Sequence, residues 1–289
     1  MIQVFGAVRI GSILLAAFLC MGPVVAQTLP QEEIISSFDM GDAPQQKTLV
    51  NGLREISGLA LASDTSVYAH NDEFGIVYEV NIADGEVTSA FALGDPTVSA
   101  DFEGIAADNG RVYLVTSTGL IYEALVGAHR SRVLFNVFDT GVGAFCEVEG
   151  LSRASETGSF LILCKTAQVR ELQGKLTVYR WSVHDRRPVA KPWLQVPYKD
   201  FLNSEEAEIF RPSAVEWDSK RKALVILSAR SHQLAVVSED GAVLMEKALT
   251  AELHPQAEGV AMMPSGDLII ADEGAGRGPG ILSIYKMQR

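Results

Sequence analysis

The sequence of 289 residues contains few of the residues that build zinc, thiol or serine-based catalytic centres. It has three cysteines and five histidines, and the histidines are scattered without the spacing of zinc or copper ligands. The motifs HExxH, CxxC and GxSxG do not occur, and no Ser-His-Asp set can be assembled. Zinc, copper and serine-hydrolase chemistry are therefore not indicated.

Basic residues are also few. The chain has 24 lysines and arginines against 36 aspartates and glutamates, which gives a formal net charge of −12. A surface this acidic repels nucleic acid and anionic lipid, and it attracts cations. We therefore predict no nucleic-acid partner.

Long apolar runs are absent after the N-terminus. There, an apolar run follows Arg9, and Val24 and Ala26 supply the small residues of a signal-peptide cleavage site. The sequence predicts a signal peptide at 1–26 and a periplasmic or secreted protein at 27–289, without a membrane span after cleavage. An uncleaved N-terminal membrane anchor is the alternative. Cleavage would leave 23 basic residues against 36 acidic ones, a net charge of −13.

Sustained helical spacing of apolar residues is absent as well, whereas one short motif recurs. Its copies are REISGLA (54–60), DFEGIA (101–106), CEVEGLS (146–152), RPSAVE (211–216) and QAEGVA (256–261). The glycine positions, with Ala214 replacing glycine in the fourth copy, are 46, 46, 64 and 45 residues apart. A period near 45 residues is typical of a propeller or a solenoid.

Each copy of the motif is followed by further short apolar runs separated by turn signals such as Asp108–Asn109–Gly110. Four strands per repeat predict an all-β fold, a β-propeller of five four-stranded blades in a single domain. The fifth repeat lacks its fourth strand, so we expect the N-terminal stretch Glu33–Met40 to close the ring as the outer strand of the last blade. The long third interval, at 185–210, leaves a degenerate sixth blade as the alternative, and Asn203–Ile209 is expected to form one helical turn.

The inner strand of each propeller blade lines the central axis, so equivalent residues of the repeats form rings. The residues before the glycine positions are Ser57, Glu103, Glu149, Ser213 and Glu258. The residues two positions earlier are Glu55, Asp101, Glu147, Arg211 and Gln256. The sequence thus predicts an acidic axial channel.

Carboxylates repel each other in such a channel, by about 3 kcal/mol for two charges ~6 Å apart at an effective dielectric of about 20. They need protonation, a basic partner or a cation, and Arg211 can neutralise about one charge. Clustered carboxylate oxygens suit Ca²⁺, or Mg²⁺ with retained waters. The predicted metal ligands are Glu103, Glu149, Glu258, Glu55, Asp101 and Glu147. The alternative is that these side chains cap backbone N–H groups or hold channel water.

A second set of polar residues falls where the second strands end, on one rim of the predicted propeller. These rim residues include Asn71, Asp72, Lys165, Arg230 and Asp272, with Arg211 nearby on an inner strand. Loops at one end of a rigid scaffold often carry function. Repeat geometry is expected to bring Asn71, Asp72 and Asp272 near the channel mouth, where they would extend the metal site.

After removal of the signal peptide, two cysteines remain. Cys146 and Cys164 fall on strands predicted to be adjacent, in an oxidising compartment. They form either a disulfide or two buried thiols.

The order and spacing of EISGLA, DFEGIA, CEVEGL followed by LILCK, and AEGVA followed by LIIADE resemble the SdiA-regulated family of exported bacterial β-propellers. That family includes YjiK-type and CarP-type calcium-regulated proteins, and calcium-dependent propeller phytases are more remotely similar. The resemblance implies an envelope-associated propeller with calcium as ligand and a role in calcium response. It carries over Glu103, Glu149 and Glu258 as channel residues and no catalytic residue. Blade four departs from the pattern at Arg211 and Ser213.

The leading functional prediction is an exported propeller that binds a divalent cation in its channel and contacts a protein or small molecule at its rim. The first alternative is a metal-dependent phosphatase or esterase-like hydrolase, in which the ion would activate water. Few basic residues are available there to hold phosphate beyond Lys165, Arg211 and Arg230. The second alternative is an interaction scaffold without metal.

Overall fold

The computed structural model describes residues 38, 40–41, 43–201, 210–274 and 276–287. It confirms an all-β propeller with five blades around one axis. No helix in these ranges is long and apolar enough to cross a membrane. The predicted signal peptide at 1–26 and the predicted turn at Asn203–Ile209 lie outside the described residues.

The chain enters the propeller through β1 (Gln45–Thr48). Blade one contains β2 (Ile56–Ser63), β3 (Ser66–Asn71), β4 (Ile76–Asn81), β5 (Val87–Leu93) and a short fifth strand, β9 (Arg132–Val133). Blade two contains β6 (Phe102–Asp108), β7 (Arg111–Thr116), β8 (Leu120–Leu125) and β10 (Phe135–Asp139). Blade three contains β11 (Cys146–Arg153), β12 (Ser159–Ala167), β13 (Lys175–Ser182) and β14 (Leu194–Pro197).

Blade four contains β15 (Ala214–Asp218), β16 (Ala223–Ser228), β17 (Gln233–Ser238) and β18 (Val243–Ala248). Blade five contains β19 (Ala257–Met262), β20 (Leu268–Asp272), β21 (Ile281–Tyr285) and β1. Neighbouring strands within each blade are antiparallel, except that β9 runs parallel to β5. Short turns make this possible, as at Asn109–Gly110, where positive φ angles of 48° and 70° reverse the chain between β6 and β7.

An N-terminal strand closes the ring as predicted, but it lies later in the chain. The outer strand of blade five is Gln45–Thr48, paired with β21, rather than Glu33–Met40. The described residues of the earlier stretch, Phe38 and Met40, are buried against blades four and five outside any strand. The polar strand suits an edge position, whereas Phe38 and Met40 gain more from burial in the core.

The long third interval supplies the outer strand of blade three and no sixth blade among the described residues. In it, β14 pairs with β13, and a single 3-10 turn follows at Tyr198–Asp200. The other described helices are also single 3-10 turns, at Asn51–Leu53, Val142–Ala144 and Arg170–Leu172. The expected count of five blades is therefore confirmed.

Five clusters of buried apolar side chains hold the propeller together, one at each interface between neighbouring blades. The cluster between blades four and five, for example, includes Val236 of β17 and Ile270 of β20. Because side chains alternate between the two faces of a strand, a central blade strand contributes to both of its interfaces. This explains why middle strands such as Ala223–Ser228 are buried along their whole length and are apolar except for the final serine.

A disulfide joins the two innermost strands of blade three. Cys146 on β11 and Cys164 on β12 are bonded, with Cα atoms 5.7 Å apart. Both residues are buried among apolar side chains between blades two and three. The bond fixes β12 beside β11 within one residue of Lys165 and within three residues of Glu149.

Candidate functional site

The residue before the repeated glycine is the extra residue of a β-bulge. In β6, Phe102 pairs with Thr116 and Gly104 pairs with Val115, which leaves Glu103 without a partner in the ladder. The same irregularity occurs in β2, β11 and β19, where the extra residues are Ser57, Glu149 and Glu258. A bulge interrupts the alternation of side chains and turns the extra residue to a new direction. Glu103 therefore leaves the blade interface that buries Phe102 and faces the axis.

In blade four, the equivalent residue is Ser213, which lies before the inner strand and not within it. Ser213 precedes β15, its hydroxyl donates to the carbonyl of Ala257 at 2.6 Å, and it accepts the N–H of Ala229 at 3.0 Å. Its side chain links blade four to blade five and contributes no charge.

The glycines are required because the inner strands of neighbouring blades touch at the backbone. A Cβ atom on Gly104 would lie 2.6 Å from the backbone nitrogen of Leu151, and one on Gly259 would lie 3.3 Å from the carbonyl carbon of Gly58. At Gly104, a larger residue would push two blades apart. The close approach of the strands at the glycines thus makes the axial channel narrow beside the acidic residues that precede them.

The structure brings Glu103, Glu149 and Glu258 together around one axial cavity, which Ser57 and Ser213 also line. Its volume is about 10 Å³, which is space for one water molecule or one bare ion. The hydroxyl of Ser57 donates to Glu103 Oε2 at 3.2 Å. We refer to Glu103, Glu149 and Glu258 as the glutamate ring.

Lys165 supplies the basic partner of the glutamate ring. Its Nζ lies 2.5 Å from Glu149 Oε1, and Glu149 is almost fully buried. Burial acts to lower the pKa of Lys165, but attraction to Glu149, Glu103 and Glu258 outweighs it and raises that pKa. Arg211, from which the sequence led us to expect this charge, donates through Nη1 to the carbonyl of Phe210 at 2.9 Å.

The second oxygen of Glu149 is not satisfied. Glu149 Oε2 is buried and has no hydrogen-bond partner among the described residues. A buried, unpaired carboxylate oxygen costs free energy, and groups of this kind are usually satisfied by water, an ion or a ligand.

Protons neutralise most of the remaining charge. Burial, with repulsion from Glu149 and Asp101, raises the pKa of Glu103 to about 8. Burial also raises the pKa of Glu258 to about 8, although Lys165 acts in the opposite direction. Burial raises the pKa of Glu149 too, but its contact with the ammonium group favours ionisation. At neutral pH we therefore assign the negative charge to Glu149 and protons to Glu103 and Glu258.

These pKa values predict that alkaline pH destabilises the protein. Glu103 has an ordinary pKa of 4.5 and a folded-state pKa of about 8, so the native state binds its proton more tightly than the unfolded state. Its stabilising contribution is complete below about pH 4.5 and is lost as pH rises through about 8. Urea unfolding of the wild type and Glu103→Gln at pH 5, 7 and 9 measures this loss. The wild type should lose more stability than the variant from pH 5 to pH 9, and equal losses would contradict the assignment.

A second tier of carboxylates surrounds the mouth of the channel. Burial raises the pKa of Asp72, and Glu55, Glu73 and Asp101 raise it further by repulsion. Asp72 Oδ1 is buried without a hydrogen-bond partner in the described part of the chain. Glu55 pairs with Arg54.

Two further carboxylates, Glu273 and Glu147, belong to the group at the mouth of the channel. Burial raises the pKa of Glu273, with added repulsion from Asp72 and Glu55. Glu147 acts by repulsion on Glu149. The mouth tier therefore consists of Glu55, Asp72, Asp101, Glu147 and Glu273.

Other rim residues do not join the site. Asp272 is fully buried, and its two oxygens accept the Nδ1–H of His254 at 2.8 Å and the N–H of Gln256 at 3.3 Å. The phenol of Tyr285 donates to His254 Nε2 at 2.6 Å. Asp272 thus ties blade five together internally and is not available at the mouth, contrary to expectation.

Asn71 and Arg230 also differ from the expected ligands. The amide of Asn71 donates to the carbonyl of Gly52 at 3.3 Å and accepts the N–H of Phe74 at 3.0 Å, so it stabilises local turns. Arg230 is exposed on the turn after β16.

The fold is shared with solved structures at low sequence identity. A glutaminyl cyclase from Myxococcus xanthus is 12% identical, with a TM-score of 0.55 over 84% of this chain and 95% of that one. A luciferin-regenerating enzyme is 8% identical, with a TM-score of 0.51 over 84% and 96%. A PQQ-bound aldose sugar dehydrogenase from Streptomyces coelicolor is 11% identical, with a TM-score of 0.50 over 84% and 99%. At these identities the likeness concerns the fold alone.

No curated protein matches the chain significantly. Residues 167–275, which include the two outer strands of blade three, all of blade four and the two inner strands of blade five, match the family model described as SdiA-regulated. Over that part of the chain, the match agrees with the resemblance to the SdiA-regulated family that the order and spacing of the motifs indicated.

Proposed function

We propose that the protein is an exported propeller whose glutamate ring binds one divalent cation, with Ca²⁺ as the expected ion and Mg²⁺ as the alternative. The single observation that carries this proposal is the convergence of three glutamates from three blades on a cavity the size of one ion. When bound, the ion would supply positive charge that holds the blades together at the axis. The proposed role is a calcium-dependent change in the stability of the channel mouth, where a protein or small molecule would bind.

The donor set fits a hard cation once Lys165 has moved. No group of three or more Asp, Glu, His or Cys side chains is preassembled as a metal centre within the described ranges. Glu149, however, offers an unsatisfied oxygen, and Glu103 and Glu258 offer carboxyl oxygens of the kind that Ca²⁺ takes. Lys165 has 36% of its side chain exposed, so its ammonium can leave Glu149 for the mouth without entering apolar surroundings.

Protons and Lys165 therefore compete with the cation. Binding requires Glu103 and Glu258 to lose their protons, and both have pKa values of about 8. The affinity for Ca²⁺ should accordingly rise between pH 6 and pH 9, with release of protons. The carboxylates of the mouth tier would concentrate cations at the entrance.

The size of the cavity disfavours the hydrolase alternative. Its volume of about 10 Å³ admits a water molecule or an ion but no phosphate or carboxylic ester. We assign no catalytic residue in the ring.

Calcium binding is tested by thermal melts and calorimetric titration of residues 27–289 at pH 8.5, with calcium and with chelator. A ligand bound only by the native state raises stability by about 2.7 kcal/mol at one hundred times its Kd, so the melting temperature should rise with calcium. Glu149→Gln should abolish the rise. The matched control, Glu246→Gln on the outer strand β18, should retain it. Melts that calcium leaves unchanged, without heat in the titration, would favour the metal-free scaffold.

The proposed location is the periplasm or the exterior of the cell, which cell fractionation tests. Processing at the site after Ala26 should appear as a mature N-terminus at Gln27. An intact N-terminus in the membrane fraction would support the anchored alternative.

A further inference from the structure

A second and much larger cavity opens at the other end of the propeller axis. The glutamate ring lies where the inner strands begin, whereas this cavity lies where they end and turn into the second strands. Its volume is about 730 Å³, within the range of small-molecule sites. All five blades contribute to its lining, with residues that include Ala62, Asp108, Arg153, Glu216, Trp217 and Met263.

One carboxylate in this cavity receives its hydrogen bonds from neutral groups, while the charge of Arg153 also acts on it from a distance. The hydroxyl of Ser152 donates to Glu216 Oε2 at 2.8 Å, and the backbone N–H of Met262 also donates to Glu216. Ser152 is itself fixed, because its oxygen accepts the N–H of Trp217 at 2.9 Å. These contacts come from blades three, four and five, so the carboxylate is preorganised by the fold.

Glu216 has no ion-pair partner in the described part of the chain. The other charged groups of the lining, apart from Lys220, are in ion pairs. Arg153 Nη1 lies 3.5 Å from Asp108 Oδ1, and Arg221 Nη1 lies 2.5 Å from Asp218 Oδ2. Arg111 Nη1 lies 3.7 Å from Glu123 Oε1. Lys220 is exposed on the turn after β15.

About half of the cavity wall is hydrocarbon. It is formed by small and flexible apolar side chains beside one aromatic ring: Ala60, Ala106, Ala107, Met262, Met263 and Tyr68. Beside the ion pairs and the exposed Lys220, the lining therefore offers the carboxylate of Glu216 next to a stretch of apolar surface. One carboxylate is too few oxygens for Ca²⁺, which takes six to eight, but it suits a single ammonium group.

We propose that this cavity binds a small organic amine, whose ammonium group pairs with Glu216 and whose hydrocarbon portion lies along the alanine and methionine wall. The excess of acidic residues over the whole chain attracts such cations toward the protein. The site is separate from the glutamate ring and does not depend on the proposed calcium function.

The test is calorimetric titration of the purified protein with three probes that share one hydrocarbon chain: hexylamine, hexanol and hexanoate. Burial raises the pKa of Glu216 to about 7, so the titration is performed at pH 8.5, where this group is ionised. An alkylammonium, like a lysine side chain with its pKa of about 10.4, remains charged there. Hexylamine should bind at least about tenfold more tightly than hexanol, and hexanoate should not bind.

Two variants locate the site. Glu216→Gln keeps the shape and the Ser152 contact, and should weaken hexylamine binding at least about tenfold. Ala107→Phe fills the cavity without changing its charge and should also weaken binding, whereas Glu246→Gln on β18 should have no effect. Thermal melts check that each variant is folded. Equal binding of hexylamine and hexanol, no binding tighter than about 1 mM, or unchanged affinity in folded Glu216→Gln would overturn the proposal.

Discussion

Replacing Lys165 by methionine is expected to destabilise the protein by about 2–3 kcal/mol at pH 9. The substitution keeps the apolar stem of the side chain but removes the ammonium group that contacts Glu149. At this pH Glu103 and Glu258 are largely ionised in addition to Glu149, since their folded-state pKa values are about 8. Breaking a fully buried ion pair costs about 3–5 kcal/mol, and the partial exposure of Lys165 reduces that figure.

The same substitution should reduce the stability of the protein much less at pH 6, because protons then neutralise the carboxylates that the ammonium group neutralises at pH 9. Calcium should restore most of the stability at pH 9, and it should bind more tightly to Lys165→Met because its competitor is gone. Chemical denaturation at both pH values, with and without calcium, measures these effects. The control is Lys175→Met on β13, whose ammonium donates to the carbonyl of Glu171 in an exposed position. A loss that is equal at pH 6 and pH 9, or equal to that of the control, would count against the assignment of charges.

The second large effect is expected for Gly104→Ala, which should destabilise the protein by about 3 kcal/mol or more. The added Cβ atom would lie 2.6 Å from the backbone nitrogen of Leu151 and 3.0 Å from the Cα atom of Gly150. Both are backbone atoms of the next blade, so no side chain can rotate to relieve the overlap. Blades two and three would have to separate at the axis, beside Glu103 and Glu149.

Gly150→Ala provides a matched control in the next blade. There the nearest atom to the added Cβ is the Cγ1 of Val215, at 3.3 Å, and this side chain can shift by the small distance required. Gly150→Ala should therefore cost about 1 kcal/mol, and equilibrium unfolding of both variants gives the comparison. If both variants lose the same stability, backbone contact between blades is not the reason for the repeated glycine.

The blade count could be predicted from the sequence because each blade repeats one motif at a nearly constant interval. The glycine that marks the motif lies where inner strands of neighbouring blades meet, and it recurs in four of the five copies. The closing strand was placed too early because the apolar stretch at Glu33–Met40 resembles a strand more closely than the polar strand Gln45–Thr48 does. An outer edge strand faces solvent and leaves no strong hydrophobic pattern.

The candidate site was predicted only in part. The recurrence of Glu103, Glu149 and Glu258 before glycine pointed to a shared position, although strand alternation alone would have placed them at a blade interface. The bulge that turns them to the axis has no signal in a single copy of the motif. The role of Lys165 could not be read from the sequence, because its contact with Glu149 depends on the pairing of β12 with β11. Asp272 resembled a rim residue, and only its contact with His254 shows that it is internal.

The most direct test of the central claim is a crystal structure of residues 27–289 grown with calcium at pH 8.5, with anomalous scattering used to locate the ion. The account predicts one calcium ion on the propeller axis, with oxygens of Glu103, Glu149 and Glu258 at about 2.3–2.6 Å and the Lys165 ammonium displaced toward the mouth. An axis that holds only water under these conditions, with Lys165 still bonded to Glu149, would contradict it.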